Sequence, residues 1–187
     1  MTIMSGLKEQ KKQLRKKIKE KLAALSMEYC RFADRQIDNK VISLEAYQNA
    51  KVVFCYVGTK EEINTNPILE DILKSSKRLG VPKCISYGVI EVYEITSLDE
   101  LQPGAYGILE PIEGCRLIEP KEIEFAVIPC LSCSKDGKRL GYGGGFYDRY
   151  LPKLSCKKAV LCRSALLEED IPVDEFDIRI EIVVTDE

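Results

Sequence analysis

From Leu7 onward, charged residues alternate with leucine and isoleucine at helical intervals. Leu7, Leu14, Ile18, Leu22 and Leu25 mark one face of LKEQKKQLRKKIKEKLAAL, which predicts an amphipathic helix over residues 7–25. Eight lysines or arginines decorate it, and most belong to a solvated face. Lys11 and Arg15 fall in or beside the apolar stripe instead. A cation facing inward needs an anionic partner, so each requires either a bound phosphate or an acidic side chain of the core. Ser26 then predicts an N-cap, with Tyr29, Phe32, Ala33, Ile37 and Val41 behind it on a second helix.

The pattern next changes to short unbroken apolar runs. KVVFCYV, residues 51–57, predicts a strand buried on both faces, as in a parallel sheet, and it ends at Gly58-Thr59. A loop carrying Glu61 and Glu62 leads to a helix expected from Asn66-Pro67 to just before Gly80. VPKCIS and VIEVYEI follow as strands, giving a βαβ crossover and then a strand pair. Residues 98–120 are irregular and rich in Gly and Pro, with Tyr106 isolated between Ala105 and Gly107, which suits a lid or pocket wall. EFAVIPCL and KKAVLCRSAL predict two more buried strands, and Ile178, Ile180, Ile182 and Val184 alternate with Arg179, Glu181 and Val183 in a half-buried one.

Between those strands lies KDGKRLGYGGGFYDRYL, residues 135–151, with Gly141, Gly143, Gly144 and Gly145 packed between Lys138-Arg139 and Phe146-Tyr147-Asp148. Such a loop lets backbone N–H groups approach an anion, and FYDRYL predicts a helix whose N-terminus would receive it. The order strand, glycine loop, helix suits a phosphate site. It matches neither GxxxxGK[ST] nor GxGxxG, so it is not a P-loop or a dinucleotide fingerprint. The loop after the first strand stands where open α/β sheets bind ligands, so one of Glu61 and Glu62 is a candidate reader of a ligand N–H.

Composition narrows the chemistry. The 187 residues are 45% hydrophobic and 31% charged with a net charge of -2, an ordinary soluble balance with no global case for nucleic acid. No apolar run reaches the roughly 18 residues of a membrane span, and no signal-peptide core is present, so the protein is expected in the cytoplasm. The chain contains no histidine, which excludes Ser-His and Cys-His nucleophiles. Eight cysteines are scattered singly. Most are expected to be buried small hydrophobes; only Cys130 and Cys133 have the CxxC spacing of a redox or half-zinc pair, and without a second pair or a histidine they fall short of a four-ligand zinc site.

RLGYGGGFYDRYL, together with the KxxxR of Lys11 to Arg15 and the EIxT of Glu62 to Thr65, resembles the 5-formyltetrahydrofolate cyclo-ligase family, over nearly the whole chain and in the same order. The resemblance implies one α/β domain spanning 1–187, with a central, largely parallel sheet flanked by helices in three layers. It implies conversion of 5-formyltetrahydrofolate, with or without a polyglutamate tail, to 5,10-methenyltetrahydrofolate, using ATP and Mg2+ and releasing ADP and phosphate. Lys11, Arg15, Arg139 and Tyr147 are the implied catalytic groups, and Lys11, Arg15, Arg139, Leu140, Gly141, Tyr142, Gly143, Gly144, Gly145, Phe146 and Tyr147 the implied ATP site. Val57, Glu62, Tyr106 and Gly143 to Tyr147 are the implied folate contacts, and Asp148 and Glu181 the implied magnesium ligands. A monomer without nucleic-acid or membrane partners is expected.

The sequence departs from the family at several places. Cys133-Ser134 replaces a frequent Phe-Asp, leaving only nearby Asp136. Glu181 is one methylene longer than the usual Asp, Phe146 stands for a frequent Tyr, and no histidine precedes Asp177. These departures keep open a different class of function, a non-catalytic nucleotide- or folate-binding module on the same fold.

Overall fold

The computed structural model describes residues 2–187, with side chains from residue 6 onward. Three helices lead in: α1 (Thr2–Ala24), α2 (Met27–Ser43) and the short α3 (Glu45–Asn49). Ser26 caps α2 by accepting the Tyr29 N–H, as its position predicts. β1 (Val52–Cys55) is followed by α4 (Asn66–Lys74), β2 (Arg78–Ser86) and β3 (Val89–Ile95). Next come β4 (Leu101–Pro103), β5 (Leu109–Pro111), β6 (Leu117–Ile118), β7 (Phe125–Ile128), β8 (Ser132–Cys133) and β9 (Arg139–Leu140). The chain closes with α5 (Phe146–Tyr150), β10 (Lys157–Leu161) and β11 (Ile182–Val184).

Seven strands form the central sheet in the order β11-β10-β7-β1-β2-β3-β6. The pairs from β11 to β2 are parallel, and β3 and β6 add antiparallel edges. The unbroken apolar strands are explained by two separate cores. Val52, Phe54, Ala126, Ile128 and Val160 face one side with Ile18 of α1, while Val53, Cys55, Phe125, Val127 and Ala159 face the other with α2 and α4. Helices therefore cover both faces, and the architecture is the expected three-layer α/β sheet. Among the described residues no helix is long and apolar enough to cross a membrane.

Two expected boundaries are corrected. The helix expected up to Gly80 stops at Lys74, where the Ser75 hydroxyl bonds back to Ile72 O, and the chain is already in β2 at Arg78. The alternating C-terminal segment is strand only over Ile182–Val184. Before that, Ile180 donates its N–H to Gly137 O at 2.9 Å, so its burial comes from the turn that leads to the glycine loop, not from the sheet.

Asp38 of α2 is 2% exposed, its Oδ1 has no partner, and burial with neighbouring Asp34 raises its carboxyl from 3.8 to about 7. A raised folded-state value favours the protonated form. Its contribution to stability is therefore full below about pH 4 and is lost as pH rises through about 7. Asp38→Asn is expected to be more stable than the parent by roughly 1–3 kcal/mol at alkaline pH and no more stable in acid. Denaturant midpoints measured on both sides of that window check this, and a gain that does not change with pH would contradict it.

Candidate active site

The carboxyl ends of β1 and β7 open into a cleft of about 440 Å3, within the usual range for a small-molecule site. Val57, Thr59, Glu61 and Glu62 line it from the loop after β1, and Pro129 from the loop after β7. Pro82, Cys84, Tyr87 and Ile90 come from β2, β3 and their turn, and Tyr106, Ile108 and Glu110 from the irregular segment. Arg15 enters from α1, and Arg139 and Gly141 to Asp148 supply the remaining wall. An open depression along α1, edged by Lys12, Arg15, Lys16 and Lys19, is only the exposed face of one helix.

Arg139 is the hub of the cationic end. It donates to Pro129 O at 3.1 Å and to Asp148 Oδ1 at 2.6 Å, and its guanidinium lies 5.7 Å from the centroid of the Tyr147 ring. Tyr147 is held in turn by stacking on Phe54 of β1, with centroids 6.2 Å apart and planes at 8°. Arg15 Nε donates to Gly141 O at 2.8 Å, which ties α1 to the loop. Burial holds the Arg15 guanidinium below its ordinary value, with Asp148 opposing that shift and Arg139 adding to it. Two cations held close in a poorly hydrated place are a receptor for polyanions.

Lys11 turns inward, as its place in the stripe predicts, and its partner is an acidic side chain. Its Nζ meets Asp177 at 2.5 Å and Asp174 at 3.9 Å, and it does not line the cavity. The glycine loop is genuinely left-handed, with φ of 106° at Gly143 and 69° at Gly145, conformations that a Cβ would strain. The helix expected to receive an anion is shorter than its pattern suggests. α5 spans five residues before tightening into a 3-10 turn, so the loop N–H groups, more than a helix dipole, are available to a phosphate. The Leu140 side chain is 1% exposed and belongs to the core.

In the loop after β1 Glu62 accepts the Thr59 N–H at 2.9 Å, and burial pushes its carboxyl up against that bond. Tyr106 has φ of 57°, unusual for a residue with a Cβ, and its exposed ring meets Phe146 edge-on at 5.7 Å. Tyr87 flanks the same Phe146 at 6.3 Å, so three aromatic rings make a wall suited to a flat heterocycle. Burial also pushes the hydroxyls of Tyr56, Tyr142 and Tyr147 well up, which keeps them neutral donors.

Glu181 is not brought to Asp148. Its Oε1 pairs with Lys158 Nζ at 3.0 Å and its Oε2 accepts the Lys158 N–H, at the amino end of β10. Lys158 is in register with Ala126, whereas Arg139 and Asp148 gather at Pro129, three residues further along, or roughly 10 Å at the rise of a strand. The expectation of a second magnesium carboxylate at Glu181 is therefore corrected. Asp136 is engaged elsewhere too, by the Ser134 hydroxyl and by Arg179 at 2.9 Å.

Sequence reasoning missed the support of the Glu62 loop. Buried Arg163, just past β10, pairs with Asp34 of α2 at 2.8 Å and donates to Glu62 O at 3.0 Å and Glu61 O at 3.3 Å. Asp34 in turn accepts the Asn64 N–H at 3.0 Å. The position of Arg163 at the carboxyl end of a buried strand was the available signal.

The sequence profile of the 5-formyltetrahydrofolate cyclo-ligase family matches residues 7–186. A 5-formyltetrahydrofolate cyclo-ligase of Mus musculus is 29% identical over 187 residues, covering 93% of this chain and 92% of that protein. The protein of that name from Escherichia coli (strain K12) is 27% identical over 174 residues, covering 90% and 96%. The solution structure of Aquifex aeolicus 5,10-methenyltetrahydrofolate synthetase superposes with a TM-score of 0.83 at 32% identity, covering 95% of this chain and 90% of that one. A 5,10-methenyltetrahydrofolate synthetase from Mycoplasma pneumoniae gives 0.77 at 27% identity, covering 95% and 99%.

Proposed function

Because the chain belongs to the 5-formyltetrahydrofolate cyclo-ligase family, we propose that its cavity is where 5-formyltetrahydrofolate and ATP meet and 5,10-methenyltetrahydrofolate is formed. The protein is a ligase of folate one-carbon metabolism, and ATP is its co-substrate. The assignment of the cavity rests above all on one observation: Arg15, Arg139, Glu62 and the Tyr87, Phe146 and Tyr106 wall line a single chamber. We place the activity in one domain over residues 1–187, acting as a monomer in the cytoplasm on folates with or without a polyglutamate tail.

A formamide carbon is a poor electrophile, because the nitrogen lone pair delocalises into the carbonyl, and its oxygen is a poor leaving group. In this reading the formyl oxygen attacks the γ-phosphorus while the bond to the ADP oxygen breaks, giving an N5 iminium phosphate. N10 then attacks the activated carbon, loses its proton, and inorganic phosphate departs with the former formyl oxygen as the ring closes. The protein's part is positioning and charge neutralisation, with no enzyme nucleophile. Arg15 and Arg139 face the phosphates, and the Gly143 to Gly145 backbone lets them approach. Glu62 accepts a pterin N–H, and Tyr106 and Phe146 hold the ring against Val57.

Magnesium fits one side of this arrangement. Asp148 is partly exposed, and its second oxygen makes no hydrogen bond among the described residues. One carboxylate together with nucleotide phosphates is a usual magnesium ligand set, so Asp148 would hold the ion, which supplies charge neutralisation at the phosphates. Lys11 supports the nucleotide from outside the cavity. Lys11→Ala is expected to lower kcat/KM for ATP about tenfold with the folate KM unchanged; unaltered ATP kinetics would return Lys11 to a purely structural pairing with Asp177.

Purified protein given 5-formyltetrahydrofolate, ATP and magnesium should develop methenyl absorbance in the near ultraviolet, with ADP in equal amount. Binding of both ligands without that product would favour the non-catalytic module.

A further inference from the structure

We infer that Cys130, Cys133 and Cys162 form a binding site for one thiophilic divalent ion of the zinc class, set behind the cavity floor. Their sulfur atoms all lie within 4.8 Å of one another. The sheet register explains why. Ile128 of β7 is paired with Val160 of parallel β10, so continuing the pairing past both strand ends puts Cys130 opposite Cys162, one strand spacing of about 4.8 Å apart. The Cys130 Sγ donates to Leu161 O at 3.2 Å, which confirms the alignment. Cys133 lies on β8, which folds back against β9 through Leu131 N–H to Leu140 O, and completes the triangle.

Zinc–sulfur bonds of about 2.3 Å in a tetrahedral arrangement place the sulfurs about 3.8 Å apart, so closing on an ion takes shifts of an ångström or less per side chain. A crevice of about 10 Å3, room for about one water molecule, opens beside Cys130 and Cys162 and is also lined by Arg163. A water there could be the fourth ligand. Three thiolates and a divalent ion carry one net negative charge beside the Asp34–Arg163 pair, and Glu61 and Glu62 line the same crevice. Each thiol gives up its proton to solvent on binding, and no oxidant is involved. Soft sulfur donors without a carboxylate in the group select zinc-class ions over magnesium.

The site joins two supports of the cavity. Cys130 follows Pro129, whose carbonyl holds Arg139, and Cys162 precedes Arg163, which holds the Glu61-Glu62 loop. An ion bound there would fasten these two loops to each other. The inference stands on the cysteine geometry and is independent of the ring-closure reading.

Full-length protein, reduced and metal-free, titrated with Cd2+ under argon is expected to show thiolate-to-metal charge-transfer absorbance that saturates at one ion per chain, and Zn2+ should displace it. Cys133→Ser and Cys162→Ser should each weaken binding by about 100-fold or more, the least expected for loss of a direct ligand. Cys130→Ser, at the half-buried position, repeats the test with less risk to folding, and near-ultraviolet circular dichroism checks that each variant is folded. Cys84→Ser should leave the titration unchanged. The proposal is overturned if no charge-transfer band appears at one equivalent, or if folded cluster variants bind Cd2+ as tightly as the parent.

Discussion

Arg139→Met is expected to lower kcat/KM for ring closure by about 10²–10³, the usual cost of deleting one positioned charge-stabilising donor. Arg139 is 8% exposed, yet it lines the cavity and its guanidinium spans three fixed points: the Pro129 carbonyl, the Asp148 carboxylate and the Tyr147 ring. Methionine keeps much of the stem's volume while removing the charge and the fork of donors, so the loss should fall on kcat more than on the folate KM. Arg139→Lys keeps a charge but cannot hold carbonyl and carboxylate together, and should recover only part of the rate. Steady-state kinetics beside a thermal melt separate the cases. A folded Arg139→Met enzyme with parental kcat would remove Arg139 from the chemistry.

Glu62→Gln is expected to raise the folate KM by about 10–100-fold, the worth of a hydrogen bond to a charged group, with the ATP KM little changed. Glutamine can still accept the Thr59 N–H, so the loop held by Arg163 should keep its shape. Burial raises the Glu62 carboxyl above the ordinary glutamate value, so in the parent the folate KM should rise as pH falls through that raised value and the accepting carboxylate is lost. In Glu62→Gln this acid limb should be absent. An identical pH profile in the two proteins would show that Glu62 does not read the substrate.

Much of this arrangement is legible in the chain because local rules and tertiary packing agree. β1, β7 and β10 read as unbroken apolar runs because alternate residues enter two different cores. The inward turn of Lys11 and Arg15 follows from their spacing along α1, and the positive φ of Gly143 and Gly145 from a loop dense in glycine. What escaped depends on register and crossings that no local pattern carries. Asp34 and Arg163 meet across 129 positions, and Cys162 joins Cys130 only because β7 and β10 pair with Ile128 opposite Val160. Glu181 misled for the converse reason. Alternation placed it on a strand, but β11 begins one residue later and leaves Glu181 at the amino end, bound to Lys158.

Attack of the formyl oxygen on the γ-phosphorus has a direct isotopic test. With 5-formyltetrahydrofolate carrying 18O in the formyl group, one turnover in unlabelled water should place the label in inorganic phosphate, because the C–O bond breaks only after that oxygen is joined to phosphorus. Phosphate without label, formed alongside the methenyl product, would contradict the mechanism.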